Sequence, residues 1–275
     1  MVVDNRHETS RPQPRRPASQ DRGLEPMARV DYEQMAASYD RGRGMPLAAL
    51  EGWRAALAAY LPAASGRPVL DLGAGTGLFA AAIATWFDAH VVAVEPSAAM
   101  RRRAQQVRPH PRVTYLGGRA ERLPLGDGCC GGAWLSTVIH HLGDLAGCAR
   151  ELRRVLGPGG PVLIRGSFPG RHAGISLFRF FPGAGRIADT FPTVEATVAA
   201  FATAGFAFER LQPVPQVSAP SLRAAVERVR QRADSTLRPL PDEEFAQGLA
   251  ALERAAAAET TPTPVVDHLD LLVLR

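Results

Sequence analysis

Short apolar runs alternate along the chain with longer stretches in which apolar residues recur at helical spacing. The short runs are typical of buried strands, and the stretches between them of crossover helices. The predicted strands are 68–72, 90–94, 113–116, 132–138, 161–166, 206–214 and 266–274. The predicted helices are 31–39, 46–60, 79–86, 97–107, 145–156, 194–204, 218–234 and 242–258. This order predicts an α/β fold with a mostly parallel seven-stranded sheet, helices on both faces and a helical insertion before the last strand.

The run 69–79 places a short apolar strand directly before a glycine-rich turn and an alanine-rich helix. Gly73, Gly75 and Gly77 lack a Cβ, so a bound molecule can approach the backbone, and the helix start offers unpaired N–H groups. This pattern predicts a site for a nucleotide-type cofactor. A purely structural turn, with glycines for tight packing only, is the alternative interpretation.

The spacing of these glycines is G-x-G-x-G, whereas a dinucleotide-binding turn has G-x-G-x-x-G. The dinucleotide alternative is therefore the weaker one. Glu95 ends the next apolar strand, about twenty residues after the turn, where acids commonly accept hydrogen bonds from ribose hydroxyls. Glu95 is therefore the predicted ribose-binding residue.

Three further segments follow in order, 118–125, 134–142 and 151–160, and segment 37–44 lies before the first strand. With the glycine turn and Glu95, they resemble the class I S-adenosylmethionine-dependent methyltransferases, in particular the small-molecule group with a ubiquinone/menaquinone-biosynthesis-like domain. The resemblance covers roughly residues 30 to 210. It implies a Rossmann-like methyltransferase fold and S-adenosylmethionine as cofactor, with S-adenosylhomocysteine as its product.

The resemblance also implies a set of cofactor-binding residues. They are Tyr39, Arg43, Asp71, Gly73, Ala74, Gly75, Gly77, Glu95, Pro96, Met100, Arg119, Ala120, Glu121 and Ser136. In the family, the glycine turn faces the methionine part and the acid holds the ribose. Arg119 stands where the family usually has an acid that meets the adenine amino group, so Ala120 is expected to present its backbone to the ring.

Segment 37–44 resembles the family's region that folds over the cofactor. Tyr39 is expected to place a phenol near the sulfonium, and Arg43 to pair with the methionine carboxylate. An ordinary capped helix followed by a loop is the alternative.

Methyl transfer from a sulfonium is an in-line displacement, and near-attack positioning alone can supply about 7 to 11 kcal/mol. A general base adds a hundred- to ten-thousandfold where the acceptor must lose a proton. The candidate bases are His140, His141, Tyr39 and His172. His140 and His141 follow an apolar strand at the expected ligand edge, although a packing role is the favoured alternative for both. No metal is expected, because the cysteines lack C-x-x-C spacing.

Two segments in the second half of the chain each have two interpretations. Residues 167–191 are punctuated by proline and glycine with apolar anchors, which suits a lid or substrate-pocket wall, or equally a loop over the core. The helical insertion 218–258 either roofs the site or forms a homodimer contact.

Composition narrows the classes of function. All 32 basic residues are arginines, so Schiff-base chemistry by a lysine of this chain is excluded. The arginine and alanine bias indicates a GC-rich bacterial genome. The net charge of +5 would suit a nucleic-acid partner. The arginines are scattered among acidic residues, however, and only 7% of residues are aromatic, so nucleic-acid binding is not favoured. We therefore expect methylation of a small molecule at oxygen, nitrogen or carbon. RNA methylation and cofactor binding without turnover are the alternatives.

Residues 1–26 are rich in arginine and proline and lack apolar periodicity, which predicts a disordered tail. Residues 27–275 are expected to form a single domain that begins with a helical N-terminal segment over 27–62. Because organellar transit peptides are also rich in arginine and serine, a transit peptide is the alternative interpretation of this tail. No segment approaches the roughly twenty apolar residues of a membrane span, so no membrane partner and a cytoplasmic location are expected.

Overall fold

A computed structural model describes Gly42, residues 44–61 and residues 66–275 of the protein. The predicted tail, the predicted helix 31–39, Tyr39 and Arg43 lie outside the described residues. The domain boundaries expected at residues 26 and 62 lie outside them too and stay predictions.

The strands form one mixed seven-stranded sheet in the order β3-β2-β1-β4-β5-β7-β6. They are β1 (Val69–Leu72), β2 (Val91–Val94), β3 (Val113–Leu116), β4 (Gly132–Ser136), β5 (Val162–Gly166), β6 (Phe208–Ala219) and β7 (Val265–Leu274). Strands β1 to β5 are parallel, and β7 runs antiparallel to both β5 and β6. The predicted sheet is confirmed.

Helices fill the crossovers between the strands. A 3-10 helix, Leu47–Leu50, leads into α1 (Glu51–Ala58), followed by α2 (Leu78–Phe87), α3 (Ala98–Val107), α4 (Leu145–Val155), α5 (Leu177–Phe180), α6 (Pro182–Ala188), α7 (Val194–Ala202), α8 (Leu222–Arg230) and α9 (Asp242–Ala257). A second 3-10 turn, Ile139–His141, follows β4. Among the described residues, no helix is long and apolar enough to span a membrane.

Each face of the sheet is covered by its own apolar layer. On one face, α1 and α2 bury an aromatic cluster in which Trp134 of β4 lies 5.6 Å from Trp53 and 5.0 Å from Phe79, measured between ring centroids. On the other face, α4 and α7 contribute buried Leu152 and Phe201. The sheet is therefore a rigid platform, and its carboxyl edge is the place left for function.

Strand β6 is longer than its sequence predicts. The predicted strand ends at Val214, yet the observed strand continues through Pro215 to Ala219. It is the edge strand and pairs only with β7 in the described sheet, so proline nitrogens can point away from the ladder. The following helix accordingly starts later than predicted, at Leu222, where the Ser221 hydroxyl accepts from the Ala224 N–H at 3.1 Å.

Residues 167–191 and the helical insertion fold against each other. Segment 177–188 forms two short helices instead of a loop, and α5, α6, α8 and α9 share an apolar cluster of their own. Phe181, Leu237, Leu240 and Leu252 are buried in it. We call these four helices, with the loops 231–241 and 181, the helical cap.

Candidate functional site

A cavity of about 240 Å³ lies at the carboxyl ends of the parallel strands. Its walls come from the glycine turn after β1, the ends of β4 and β5, the free ends of β6 and β7, and the helical cap. The helical insertion therefore roofs the cavity, one of the two arrangements expected for it. Of the predicted cofactor residues, those that line the cavity are Asp71, Gly73, Ala74, Gly75 and Ser136.

The glycine turn needs all three of its glycines, for different reasons. Gly73, Gly75 and Gly77 have φ values of 72°, 55° and 79°, in the left-handed region that disfavours a Cβ. A Cβ at Gly73 would strike Val138, and one at Gly77 would strike the Tyr115 hydroxyl. At Gly75, by contrast, no described atom lies within 4 Å of that position. Gly75 therefore leaves the cavity open above the turn, whereas Gly77 is buried beneath it.

Glu95 is turned towards the glycine turn and is only 6% exposed. Its carboxylate accepts from the Gly75 N–H at 3.0 Å and from the Ser97 N–H at 2.9 Å. The acid after β2 is thus fastened to the turn after β1, which brings the two motifs together. Glu95 itself does not line the cavity as the described residues define it, and neither do its predicted neighbours Pro96, which is exposed, and Met100, which is buried in α3. Ribose binding by Glu95 therefore stays a prediction.

Asp71 lies fully buried at the floor of the cavity. Burial, and to a smaller extent the charge of Glu95, together raise the pKa of its carboxyl from 3.8 to about 8, against the opposing effect of a hydrogen bond from the Ala80 backbone. Its Oδ2 has no hydrogen-bond partner among the described residues. A buried carboxyl with an unused oxygen suits a cationic or hydrogen-bond-donating ligand group.

The chain leaves β4 through a strained turn. Thr137 is β-branched and has φ of 54°, and its N–H donates to the Arg165 carbonyl at 2.8 Å. This turn ends the strand at Ser136, two residues before the predicted end, because Thr137 leaves the extended conformation. It also brings Val138 beneath Gly73 and directs His140 towards the cavity.

The structure separates the histidine candidates. His140 lines the cavity, stacks on Phe191 with ring centroids 4.2 Å apart, and has Nε2 3.2 Å from the Ser235 hydroxyl. His141 is exposed, and its ring lies 4.0 Å from that of His140. His172 binds Asp189 at 2.8 Å, and neither His141 nor His172 lines the cavity in the described structure.

The segment that resembles the adenine border lies away from the cavity. Arg119 and Glu121 are exposed, and Ala120 is buried. The Arg122 N–H donates to the Arg119 carbonyl at 3.1 Å, so the segment forms a tight turn. None of Arg119, Ala120 and Glu121 lines the cavity formed by the described residues.

Apart from Ser136, sequence reasoning missed a row of hydrogen-bonded polar side chains along the cavity floor. Its members, here called the polar strip, are Ser136, Arg165, Gln216, Ser218, Asp267 and Ser176. Arg165 stands at the end of the apolar β5 run, and Asp267 stands in the largely apolar β7. A charge at the ligand end of a buried strand is the signal that could have found them.

Hydrogen bonds join the polar strip from end to end. Arg165 donates to the Ser136 hydroxyl at 3.1 Å and to Gln216 Oε1 at 2.6 Å. Gln216 Nε2 donates to Ser218 at 3.4 Å, and the Ser218 hydroxyl donates to Asp267. At the far end, Asp267 accepts from the Ser176 N–H and hydroxyl at 2.8 and 2.7 Å. The strip therefore runs from the glycine-turn side of the sheet to the helical cap.

The rest of the cavity wall is apolar and comes from the helical cap. The lining side chains include Phe178, Phe180, Leu222, Val229, Leu237 and Leu252. We call this part the apolar chamber. The cavity thus has an open backbone turn at one end, a polar floor and an apolar roof.

Comparison with known proteins places this geometry in a family. A family model described as a methyltransferase domain matches residues 70–164, which contain the glycine turn, Glu95, Ser136 and His140. Residues 70–164 therefore carry a methyltransferase domain. This methyltransferase domain accounts for the sheet from β1 to β5, whereas the helical cap and β7 lie beyond the match.

Curated relatives share the methyltransferase domain. The ubiquinone/menaquinone biosynthesis C-methyltransferase of Rubrivivax gelatinosus is 32% identical over 144 residues, a match that covers 52% of this chain and 57% of the relative. The chain thus spans little more than half the length of that curated relative.

Solved structures share the fold over most of the chain. A protein described as a methyltransferase from an antibiotic biosynthesis pathway of Anabaena variabilis has a TM-score of 0.61 at 22% identity, over 84% of this chain and 99% of that one. Phosphoethanolamine N-methyltransferase 2 of Haemonchus contortus, solved with phosphomonomethylethanolamine and S-adenosylhomocysteine, has a TM-score of 0.57 at 19% identity, over 88% and 57%. The predicted Rossmann-like methyltransferase fold is confirmed.

Proposed function

We propose that this protein is an S-adenosylmethionine-dependent methyltransferase that transfers a methyl group to oxygen, nitrogen or carbon of a small molecule. The observation that carries the proposal is the glycine turn. It opens onto a cavity at Gly75, is fastened to Glu95, and lies within the matched methyltransferase domain. The Rubrivivax gelatinosus relative is named as a C-methyltransferase, and the Haemonchus contortus protein is named as an N-methyltransferase. The similarity to these proteins therefore leaves the acceptor atom open.

The residues at the turn fit S-adenosylmethionine. Gly75 leaves room against the backbone, Glu95 offers carboxylate oxygens to the ribose hydroxyls, and Asp71 has an unused oxygen for the amino group. Gly73, Ala74 and Ser136 complete the expected contacts. When bound, this cofactor supplies a methyl group on a positively charged sulfonium.

The contribution of the chain to catalysis is positional. The glycine turn, the polar strip and the apolar chamber fix two partners in one cavity, which removes most of the entropic barrier to an in-line displacement. The helical cap covers one side of that cavity. Tyr39, Arg43 and the segment containing Arg119 stay predicted contributors to cofactor binding.

His140 is the proposed general base for acceptors that must lose a proton. Its ring faces the cavity, and Phe191 and Ser235 hold its orientation. We expect His140→Gln to slow such a reaction by a hundredfold or more, with little change in cofactor affinity. His141→Gln is the matched control, because His141 is exposed and outside the cavity lining. Equal effects of the two substitutions would remove His140 from this role.

Cofactor binding is tested by isothermal titration of S-adenosylmethionine and S-adenosylhomocysteine into the full chain. We expect both to bind, and Gly75→Ala to weaken binding tenfold or more because its methyl group enters the cofactor's space. Gly128→Ala is the matched control: Gly128 also has a positive φ, of 61°, with no described atom within 4 Å of a Cβ, but lies outside the described cavity lining. Both variants carry similar backbone strain, so only the cavity position distinguishes them.

Release of S-adenosylhomocysteine over acceptor pools then separates an enzyme from a protein that binds the cofactor without turnover. Absence of binding by either molecule would reject both functions.

Partners and location complete the proposal. A small-molecule acceptor suits an enclosed cavity, and free thiols at Cys129, Cys130 and Cys148 suit a reducing compartment such as the cytoplasm. A homodimer through α8 and α9 stays a prediction, and sedimentation equilibrium measures it. A monomer at all accessible concentrations would reject the dimer.

A further inference from the structure

A buried positive charge lies at the floor of the cavity, beside the expected position of methyl transfer. Arg165 is 5% exposed, and its register partner in the parallel sheet is Ser136 of β4. Leu135 pairs in turn with Leu72, the residue before Gly73. With neighbouring strands about 4.8 Å apart, the backbone of Arg165 lies roughly two strand spacings from that of the glycine turn.

The guanidinium of Arg165 is held in one orientation. It donates to Ser136 and Gln216, and its Cζ lies 5.1 Å from the ring centroid of Trp53 and 5.4 Å from that of Phe79. Trp53 Nε1 also donates to Gln216 Oε1, at 3.0 Å, which fixes the amide that positions the arginine. A buried, preorganised guanidinium binds a planar anion such as a carboxylate better than a flexible one would.

The negative charge on the polar strip faces elsewhere. Asp267 accepts hydrogen bonds from the hydroxyls of Ser176 and Ser218 and from the Ser176 N–H. These donors are directed at the carboxylate and screen it, and two neutral side chains, Gln216 and Ser218, separate it from Arg165 along the strip. The floor is therefore positive at the glycine-turn end and negative at the cap end.

The apolar chamber continues the cavity away from Arg165 towards the helical cap. Phe178 and Phe180 come from α5, Leu222 and Val229 from α8, and Leu252 from α9. A ligand that reached from Arg165 into this chamber would place its polar group on the strip and its carbon skeleton under the cap. Burial of each methylene there would strengthen binding roughly fourfold.

We infer that the methyl acceptor is an amphipathic small acid, whose anionic group binds Arg165 and whose apolar body occupies the apolar chamber. This inference rests on the proposed methyltransferase function, and it names the acceptor class of the same site. The polar strip selects for the acid group of the acceptor, and the helical cap limits the length of its apolar body.

The test compares octanoate with 1-octanol and octylamine by isothermal titration into the full chain saturated with S-adenosylhomocysteine. We expect octanoate to bind at least tenfold more tightly than either, because only the carboxylate carries a charge opposite to that of Arg165 and can accept two hydrogen bonds from its guanidinium. Hexanoate should bind more weakly than octanoate by roughly fourfold for each methylene removed. Equal affinities for octanoate and octanol, or undetectable binding of the acids, would overturn the inference.

Substitutions assign the preference to one arginine. Arg165→Met should abolish the preference for octanoate over octanol, and Arg165→Lys, which retains the charge, should keep part of it. Arg228→Met is the matched control, since Arg228 also lines the cavity but lies on α8. A preference lost in Arg228→Met and kept in Arg165→Met would contradict the assignment.

Titration of S-adenosylhomocysteine distinguishes a failure of the proposed methyltransferase function from a failure of the proposed acceptor class. If S-adenosylhomocysteine fails to bind the wild-type chain, the proposed function fails. If S-adenosylhomocysteine binds the wild type and both methionine variants while acid and alcohol remain indistinguishable, only the acceptor class fails.

Discussion

Asp71 shows how the fold changes the chemistry of a single residue. In the sequence it is one letter of a glycine-rich motif, whereas in the structure it is a buried carboxyl beside a second acid. Its pKa of about 8 means that it is mostly protonated at neutral pH in the folded chain. A cationic ligand group beside it would favour the ionised form, so ligand binding and proton release are coupled at this site.

The pH dependence of stability tests this environment. Because the folded-state pKa of Asp71 is raised, its stabilising contribution is complete below about pH 4 and is lost as pH rises towards about 8. We therefore expect the free energy of unfolding of the wild type to fall across this range relative to Asp71→Asn. The difference should reach the order of several kcal/mol, measured by urea denaturation at several pH values.

Asp189→Asn is the contrasting control for that measurement. The hydrogen bond from His172 lowers the pKa of the Asp189 carboxyl, so its contribution is present above about pH 4 and lost as pH falls. Asp189 is exposed, which makes that contribution small. Parallel pH profiles for wild type and Asp71→Asn would contradict the account of Asp71.

At the scale of elements, the antiparallel pair β6–β7 organises the acceptor side of the cavity. Its free ends extend past the carboxyl end of β5, since Gly166 pairs with Asp270 and Val217 with Val266. The segment before α5 is anchored to this extension by three contacts. Arg171 binds Asp270, Ser176 binds Asp267, and the His268 N–H donates to the Gly174 carbonyl at 3.0 Å.

Breaking the Arg171 contact should loosen that anchor. The Asp270 side chain is 5% exposed and accepts two hydrogen bonds from Arg171, at 2.8 and 2.9 Å. We expect Arg171→Met to lower the free energy of unfolding by about 2 kcal/mol or more, because it leaves a buried carboxylate without its cation. Chemical denaturation measures this effect.

Arg186→Met supplies the matched comparison. Arg186 pairs with Glu244 at 2.9 Å, but its side chain is 69% exposed, and such pairs contribute about 0 to 1 kcal/mol. A loss in Arg171→Met no larger than that in Arg186→Met would show that the anchor has little energetic weight.

At the scale of the whole molecule, the sequence predicted what depends on local pattern. The alternation of strands and helices follows from apolar periodicity and agrees with the structure. The glycine turn and Glu95 come from residues close in the chain, and the structure brings the two together, whereas ribose binding by Glu95 stays a prediction. The polar strip could not be predicted in this way. Arg165 and Gln216 belong to strands that are far apart in the chain and are separated in the sheet by β7, so only the folded structure shows that they are hydrogen-bonded.

The helical cap illustrates the same limit. Phe181 and Leu252 belong to separate segments whose individual patterns suggest a loop or lid and an amphipathic helix. Their common apolar cluster exists only in the folded chain, so neither segment alone indicates that together they roof a cavity. Long-range packing, which periodicity does not encode, therefore decides the acceptor side of the site.

A crystal structure of the full chain with S-adenosylhomocysteine tests the central claim most directly. We expect the ribose hydroxyls within hydrogen-bond distance of the Glu95 carboxylate, the amino acid portion over Gly73 and Gly75, and the sulfur facing Arg165 and His140. Density for the ligand anywhere other than over the glycine turn, or a Glu95 carboxylate that makes no contact with the sugar, would contradict it.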